Sequence, residues 1–224
     1  VVVLTSNGGN TSTTPPKYSL DGGETFQNSA FTSSVTFTYT PTAGGMCCSK
    51  DGRYIVFTQR PYILVSSDYG QTFTPTYLSG DGGHTPSMSE DGQYVYIGSA
   101  RRSTDYGQTF VSMAYNYSAV DCSSDGRTVV TCGVLYAGTL ASNVLVSTDY
   151  GVTWAGKPFT ATNAVSGVSK AYGVRVLGNG VAAMCYNGNT NASLMAIKTS
   201  DMFDTVEPSS AYFGSGCTSP DNKN

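Results

Sequence analysis

An eight-residue phrase recurs along this chain. Ser19–Phe26 reads SLDGGETF and Ser66–Phe73 reads SSDYGQTF. Ser103–Phe110 reads STDYGQTF and Ser147–Trp154 reads STDYGVTW. A worn fifth copy, TSDMFDTV, runs from Thr199 to Val206. The copies at 19–26, 66–73, 103–110, 147–154 and 199–206 start about 45 residues apart on average. Repetition at such a period constrains a fold more than other sequence signals do. Each unit is one supersecondary element that buries its apolar face only against its neighbours.

The phrase reads as a hairpin turn that holds itself together. Asp accepts hydrogen bonds from backbone N–H groups later in the same turn. Gly supplies a positive φ, and the following Thr and aromatic begin a strand. Ser-x-Asp-x-Gly-x-Thr-Trp/Phe resembles the Asp-box, or BNR repeat, of sialidase-like β-propellers. The resemblance implies a turn between the third and fourth strands of a blade, away from any ligand. On that basis Asp21, Asp68, Asp105, Asp149 and Asp201 are structural.

A second phrase alternates with the first: SKDGRYIVF from Ser49, SEDGQYVYI from Ser89 and SSDGRTVVT from Ser123. An Asp-Gly turn before a β-rich run is a hairpin signal. In the fourth unit Asn179-Gly180 takes the Asp-Gly place ahead of VAAMCY. Each repeat then reads strand A, Asp-Gly turn, strand B, loop, strand C, Asp-box turn, strand D. The expected fold is all-β, a β-propeller of five four-stranded blades in one domain, residues 1–224. VVVLTS at the start supplies a strand B without a strand A, and GCTSPDNKN at the end supplies a strand A without a strand B. Across that join Asp221 lies 22 residues from Ser19, as Asp125 does from Ser147. The strand around Gly214–Thr218 is therefore expected to pair with VVVLT and close the ring. The competing reading is a segment of a longer chain cut at repeat boundaries.

Composition narrows the function. Only 12% of residues are charged, about half the usual share, and the net charge is −3. Attraction to nucleic acid is not expected. No apolar run reaches the roughly 20 residues that span a bilayer as a helix, so no membrane insertion is expected. Cys47, Cys48, Cys122, Cys132, Cys185 and Cys217 show no CxxC spacing, and His84 is the only histidine, so no metal and no cofactor are expected. The cysteines read as small buried residues of strands A and B, with an inter-strand disulfide as the alternative. Sequons at Asn10, Asn116 and Asn191 lean towards an extracellular, cell-surface or virion setting.

Glycoside hydrolysis needs two placed carboxyl groups, or the tyrosine nucleophile of sialidases. Outside the two repeated turns only Asp81, Asp121 and Glu207 remain. The Phe-Arg-Ile-Pro motif of sialidases is absent; Arg60-Pro61 is the nearest approach. Ligand-binding candidates are Arg60, Tyr62, Arg101, Arg102 and Tyr136 in B–C loops, and Asp81 with His84 in a D–A loop. Tyr77, Tyr115 and Tyr117 are placed in D–A loops as well. Arginine suits carboxylate or phosphate, and tyrosine offers a flat face to a sugar or protein. The alternative is a solvated face with scattered charges. The expected function is a non-catalytic structural or interaction module with a protein or glycan partner, part of a larger assembly. The paired phrases also look loosely like repeats in structural proteins of large DNA viruses and bacterial surfaces. A lectin is the second reading, and a sialidase-like glycosidase the third.

Overall fold

The computed structural model describes residues 2–4, 15–35, 45–59, 61–77, 85–98, 100–113, 119–132, 143–158, 170–176, 182–187, 194–199 and 207–212. Among them every regular element is a β-strand. The chain forms two compact units, Val1–Ala114 with Ser124–Gly126, and Tyr115–Ser123 with Arg127–Asn224.

The first unit holds three sheets. The first contains β1 (Val2–Leu4), β2 (Lys17–Ser19) and β3 (Gln27–Asn28), with Val2 opposite Ser19. The chain then passes through β4 (Ala30–Phe31). The second sheet is an antiparallel meander of β5 (Met46–Cys48), β6 (Ile55–Gln59), β7 (Tyr62–Ser66) and β8 (Thr72–Tyr77). The third is a meander of β9 (Pro86–Met88), β10 (Val95–Ile97), β11 (Arg101–Ser103) and β12 (Val111–Ser112).

The second unit holds two more meanders. One comprises β13 (Ala119–Cys122), β14 (Val129–Cys132), β15 (Asn143–Ser147) and β16 (Ala155–Pro158). The other comprises β17 (Lys170–Val176), β18 (Ala182–Asn187), β19 (Leu194–Thr199) and β20 (Glu207–Tyr212).

The strands fall where the two repeated phrases place them. β6 reads IVFTQ because both of its faces are covered. Ile55 and Phe57 join Leu64 and Phe73 on one side, while Val56 joins Ile63, Val95 and Ile97 on the other. Successive side chains of a strand point to opposite faces, so a run without polar alternation marks burial on both. The second and third sheets therefore share an apolar layer.

β1 pairs with β2 along its length, with Val3 opposite Tyr18 and Leu4 opposite Lys17. Gly214–Thr218, its expected partner on the other side, lies outside the described residues, as does the worn turn at Asp201. β4 is a departure from the repeat pattern. It leaves its own sheet and runs parallel to β8, with Ala30 opposite Thr72 and Phe31 opposite Phe73, giving the second sheet five strands.

Candidate functional site

The repeated turn has the same geometry in all four described copies. In the third, the Ser103 hydroxyl donates to Asp105 Oδ1 at 2.7 Å and accepts from the Gly107 N–H at 2.9 Å. Asp105 then accepts from the Thr109 N–H at 2.9 Å and the Thr109 hydroxyl at 2.6 Å. Ser66, Asp68, Gly70 and Thr72 repeat the pattern, as do Ser147, Asp149, Gly151 and Thr153. Ser19, Asp21, Gly23 and Thr25 form the first copy. The aspartates hold the turn on one side, and a buried serine holds it on the other. That serine was invisible as a partner in the sequence, although its presence in all four phrases was the signal.

The bonds act on the carboxyl groups. Donation from Thr153 and Ser147 lowers Asp149 to about 2, and donation from Ser19 and Thr25 lowers Asp21 further. At Asp68 and Asp105 burial pushes upward, but the Thr and Ser donors more than offset it, so both sit below the usual range.

Removing either half should destabilise unequally. Ser103→Ala leaves the buried Gly107 N–H without an acceptor and should cost about 2–3 kcal/mol. In Asp105→Ala water replaces part of what is lost, and about 1–2 kcal/mol is expected. Urea denaturation of both variants measures the order; a costlier Asp105→Ala would show that the carboxylate is the main staple.

The Asp-Gly turns are built on the same pairing. Ser49 donates to Asp51 Oδ1 at 2.6 Å and accepts from the Tyr54 N–H at 2.9 Å. Ser89 does the same with Asp91 and Tyr94. Each hairpin is therefore a six-residue loop, Ser49–Tyr54 or Ser89–Tyr94, larger than a bare two-residue Asp-Gly turn. Within the second, third and fourth sheets the two turns meet: the N–H groups of Tyr69, Tyr106 and Tyr150 donate to the carbonyls of Arg53, Gln93 and Arg127. These three tyrosines have φ of 60–63°, a left-handed conformation that the sequence assigned only to glycine. In the first unit neighbouring turns also join. The Lys50 N–H donates to the Glu90 carbonyl at 2.8 Å, and the Glu90 N–H to Ser124 at 2.7 Å. Tyr54 stacks on Tyr106 with ring centres 4.5 Å apart, and the Arg53 guanidinium lies 5.2 Å from the Tyr54 ring centre.

The ligand-binding candidates divide. Arg60, Tyr136, Asp81 and His84 lie outside the described residues, as do Tyr115 and Tyr117. Arg101 and Arg102 are not in a loop. They open β11, because the B–C hairpin closes within residues 98–100, with Ala100 at φ 62° and Ile97 opposite Arg101. Arg101 shares a face with Ile97 and Arg102 with Tyr96, so the two guanidinium groups leave opposite faces of the strand. Arg101 also donates to the Ser112 hydroxyl. Tyr62 is likewise a strand residue, half-buried and edge-on to Tyr77 at 5.6 Å between ring centres. Tyr77 ends β8 and is 64% exposed.

Asp121, one of the three acids outside the repeated turns, is buried in the second unit. It accepts from the Val176 N–H at 2.8 Å, with the Arg175 guanidinium 3.9 Å away. Asp81 and the side chain of Glu207 lie outside the described residues. Among the described residues no three or more His, Cys, Asp or Glu gather to hold a metal ion. Cys47, Cys48 and Cys122 are thiols, with Cys122 buried.

No family model matches the sequence, and no curated protein does. Solved structures do. An ancestral GH74 enzyme matches with a TM-score of 0.59 at 12% identity, over 93% of this chain and 30% of that one. The Kuenenia stuttgartiensis hydrazine synthase matches with a TM-score of 0.51 at 13% identity, over 70% and 46%. YCF48 from Cyanidioschyzon merolae matches with a TM-score of 0.50 at 15% identity, over 75% and 56%. GH74 and YCF48 are β-propeller proteins. This chain has the β-propeller fold. It spans between about a third and just over half of the structures it resembles. In the propeller the meanders are blades. The two turn families of each blade lie at the same end of its strands, and the B–C hairpins at the other.

Proposed function

We propose that this chain is a non-catalytic propeller module that works as a structural or interaction element of a surface, secreted or virion assembly. One observation carries the reading: Asp21, Asp51, Asp68, Asp91, Asp105 and Asp149 are committed to backbone and hydroxyl donors of their own turns, and Asp121 accepts from the Val176 N–H. A carboxyl group that must stay ionised to hold a turn is a poor general acid. The turns are, on this reading, Asp-boxes of the sialidase-like kind, with Asp201 as the fifth.

The working face is the end of the blades opposite those turns, with Arg60, Tyr62, Arg101, Arg102, Tyr136, Asp81 and His84 as contact residues for a protein or glycan. Exposed Tyr77, edge-on to Tyr62, favours a lectin as the second reading, since a flat exposed ring suits a sugar face. A glycan array together with hydrolysis of a fluorogenic glycoside panel tests both. Absence of turnover is the expected result; glycan binding would select the lectin, and turnover would overturn the non-catalytic reading. Charge reversal at Arg60, Arg101 and Arg102 should abolish binding to an anionic glycan or acidic partner, and binding should weaken as salt rises. Binding unchanged in that variant would remove the arginines from the site.

A further inference from the structure

We infer that the outer edge of the third blade, Gly107–Val111, is a docking strand for an extended segment of a partner protein with the chemistry Ser-small-aromatic-Thr. The chain docks such a segment on itself once. Ser29–Thr32 lies along Gly70-Gln71-Thr72-Phe73 of the second blade. The Ala30 N–H donates to the Gln71 carbonyl at 2.9 Å and the Thr32 N–H to Phe73 at 3.0 Å. The Ser29 hydroxyl donates to the Gly70 carbonyl at 2.6 Å. Phe31 and Val35 pack into the cluster that contains Phe73, which is 0% exposed.

The third blade carries the same four residues, Gly107-Gln108-Thr109-Phe110, in the same register. Val111 stands opposite Arg102 as Thr74 stands opposite Val65, so the Gln108 and Phe110 carbonyls turn away from β11 as those of Gln71 and Phe73 turn away from β7. Among the described residues β12 is the last strand of its sheet. Phe110 is half-buried where Phe73 is wholly buried, and Val111 is 51% exposed. Chain length separates the two edges. β4 lies within residues 29–45, whereas residues 78–85, less than half as many, must carry the chain from β8 to β9. The fourth blade differs, because the Trp154 indole N–H takes its own Gly151 carbonyl at 3.2 Å, and Phe110 has no such donor.

Strand addition to an open edge takes its affinity from main-chain hydrogen bonds and its selectivity from alternate side chains. A second copy is a poor occupant, since its Ser29–Thr32 is already held within its own chain at high effective concentration. The edge acts through the Gln108 and Phe110 carbonyls, whereas the contact residues proposed above act through side chains, so either can fail alone.

The test titrates the full ¹⁵N-labelled chain with a capped peptide of residues 27–34, QNSAFTSS, followed by two-dimensional NMR. Saturable shifts are expected at the amides of Gly107–Ser112. N-methylation of the peptide's Ala and Thr amides should weaken binding at least about tenfold through two lost hydrogen bonds. N-methylation of its Phe amide, which faces away in an extended strand, should not. Absence of shifts up to the peptide's solubility limit, shifts at Gly70–Thr74 instead, or indifference to Ala and Thr methylation would each overturn the proposal. Concentration-dependent broadening of Gly107–Ser112 in the chain alone would also overturn it, by making a second copy the occupant.

Discussion

Gly92→Ala is expected to lower stability by about 3 kcal/mol, with Gly22→Ala costing only about 1–2. Both glycines are left-handed, at φ 83° and 77°, so the backbone strain of an L side chain is common to the two. They differ in what an added Cβ meets. At Gly92 it would stand 2.7 Å from Tyr54 Cδ2 and 2.9 Å from Tyr54 Cβ, whereas at Gly22 nothing lies within 4 Å. Tyr54 has little room to withdraw, because Tyr106 stacks on it and Arg53 lies over its ring. Strain of about 1–2 kcal/mol therefore adds to overpacking of similar size. Gly126, where a Cβ would stand 2.7 Å from Tyr94, should behave like Gly92. Tyr69, Tyr106 and Tyr150 hold the Gly22 position in their own turns, which shows that the strain alone is tolerated. Urea denaturation of the three alanine variants gives the comparison. Equal losses at Gly22 and Gly92 would mean that the tyrosine-on-glycine contact does not lock neighbouring turns.

Repeat spacing made the meanders legible, because Ser, Asp and Gly at fixed offsets define a turn whatever the strands contain. β4 was illegible for the complementary reason. Ser29–Phe31 belongs to no copy of either phrase, and it pairs with a blade other than its own. Its only signal lies in the partner strand, where Phe73 is buried and Phe110 is not. Arg101 and Arg102 were misplaced into a loop because the hairpin before them ends on Ala100, a residue that does not announce a positive φ. Tyr106 hid its conformation in the same way. Tyr54 and Tyr94, which press on the glycines of neighbouring turns, follow Asp-Gly by two residues, yet their spacing does not say what they touch. The acids were more legible. Asp81, Asp121 and Glu207 stand out in the sequence as the acids outside the repeated turns, and of these Asp121 accepts from the Val176 N–H.

Acid should unfold this chain over a narrow range, between about pH 4 and pH 2. The carboxyl groups of Asp21, Asp51, Asp68, Asp105 and Asp149 are all lowered from a usual value of 3.8, and Asp149 titrates at about 2. Below pH 4 the unfolded chain therefore takes up protons that the folded turns refuse. Stability contributed by these groups is fully present above the unfolded value and is lost as the pH falls towards the folded one. The losses add because Asp21, Asp68, Asp105 and Asp149 hold the same repeated turn and Asp51 holds an Asp-Gly turn. Protonating one removes acceptor capacity from a Thr N–H and hydroxyl pair in each case where such a pair is bound. The melting temperature should be nearly flat from pH 8 to pH 5 and then fall steeply. Asp149→Asn supplies the control: an amide keeps an acceptor oxygen but has no proton to gain. It should be less stable than the parent chain at pH 7, and the gap should narrow as pH approaches 2. Thermal denaturation at pH 7, 5, 3 and 2 reads both curves. A gap that stays constant would mean that the Asp149 turn contributes nothing to the acid transition.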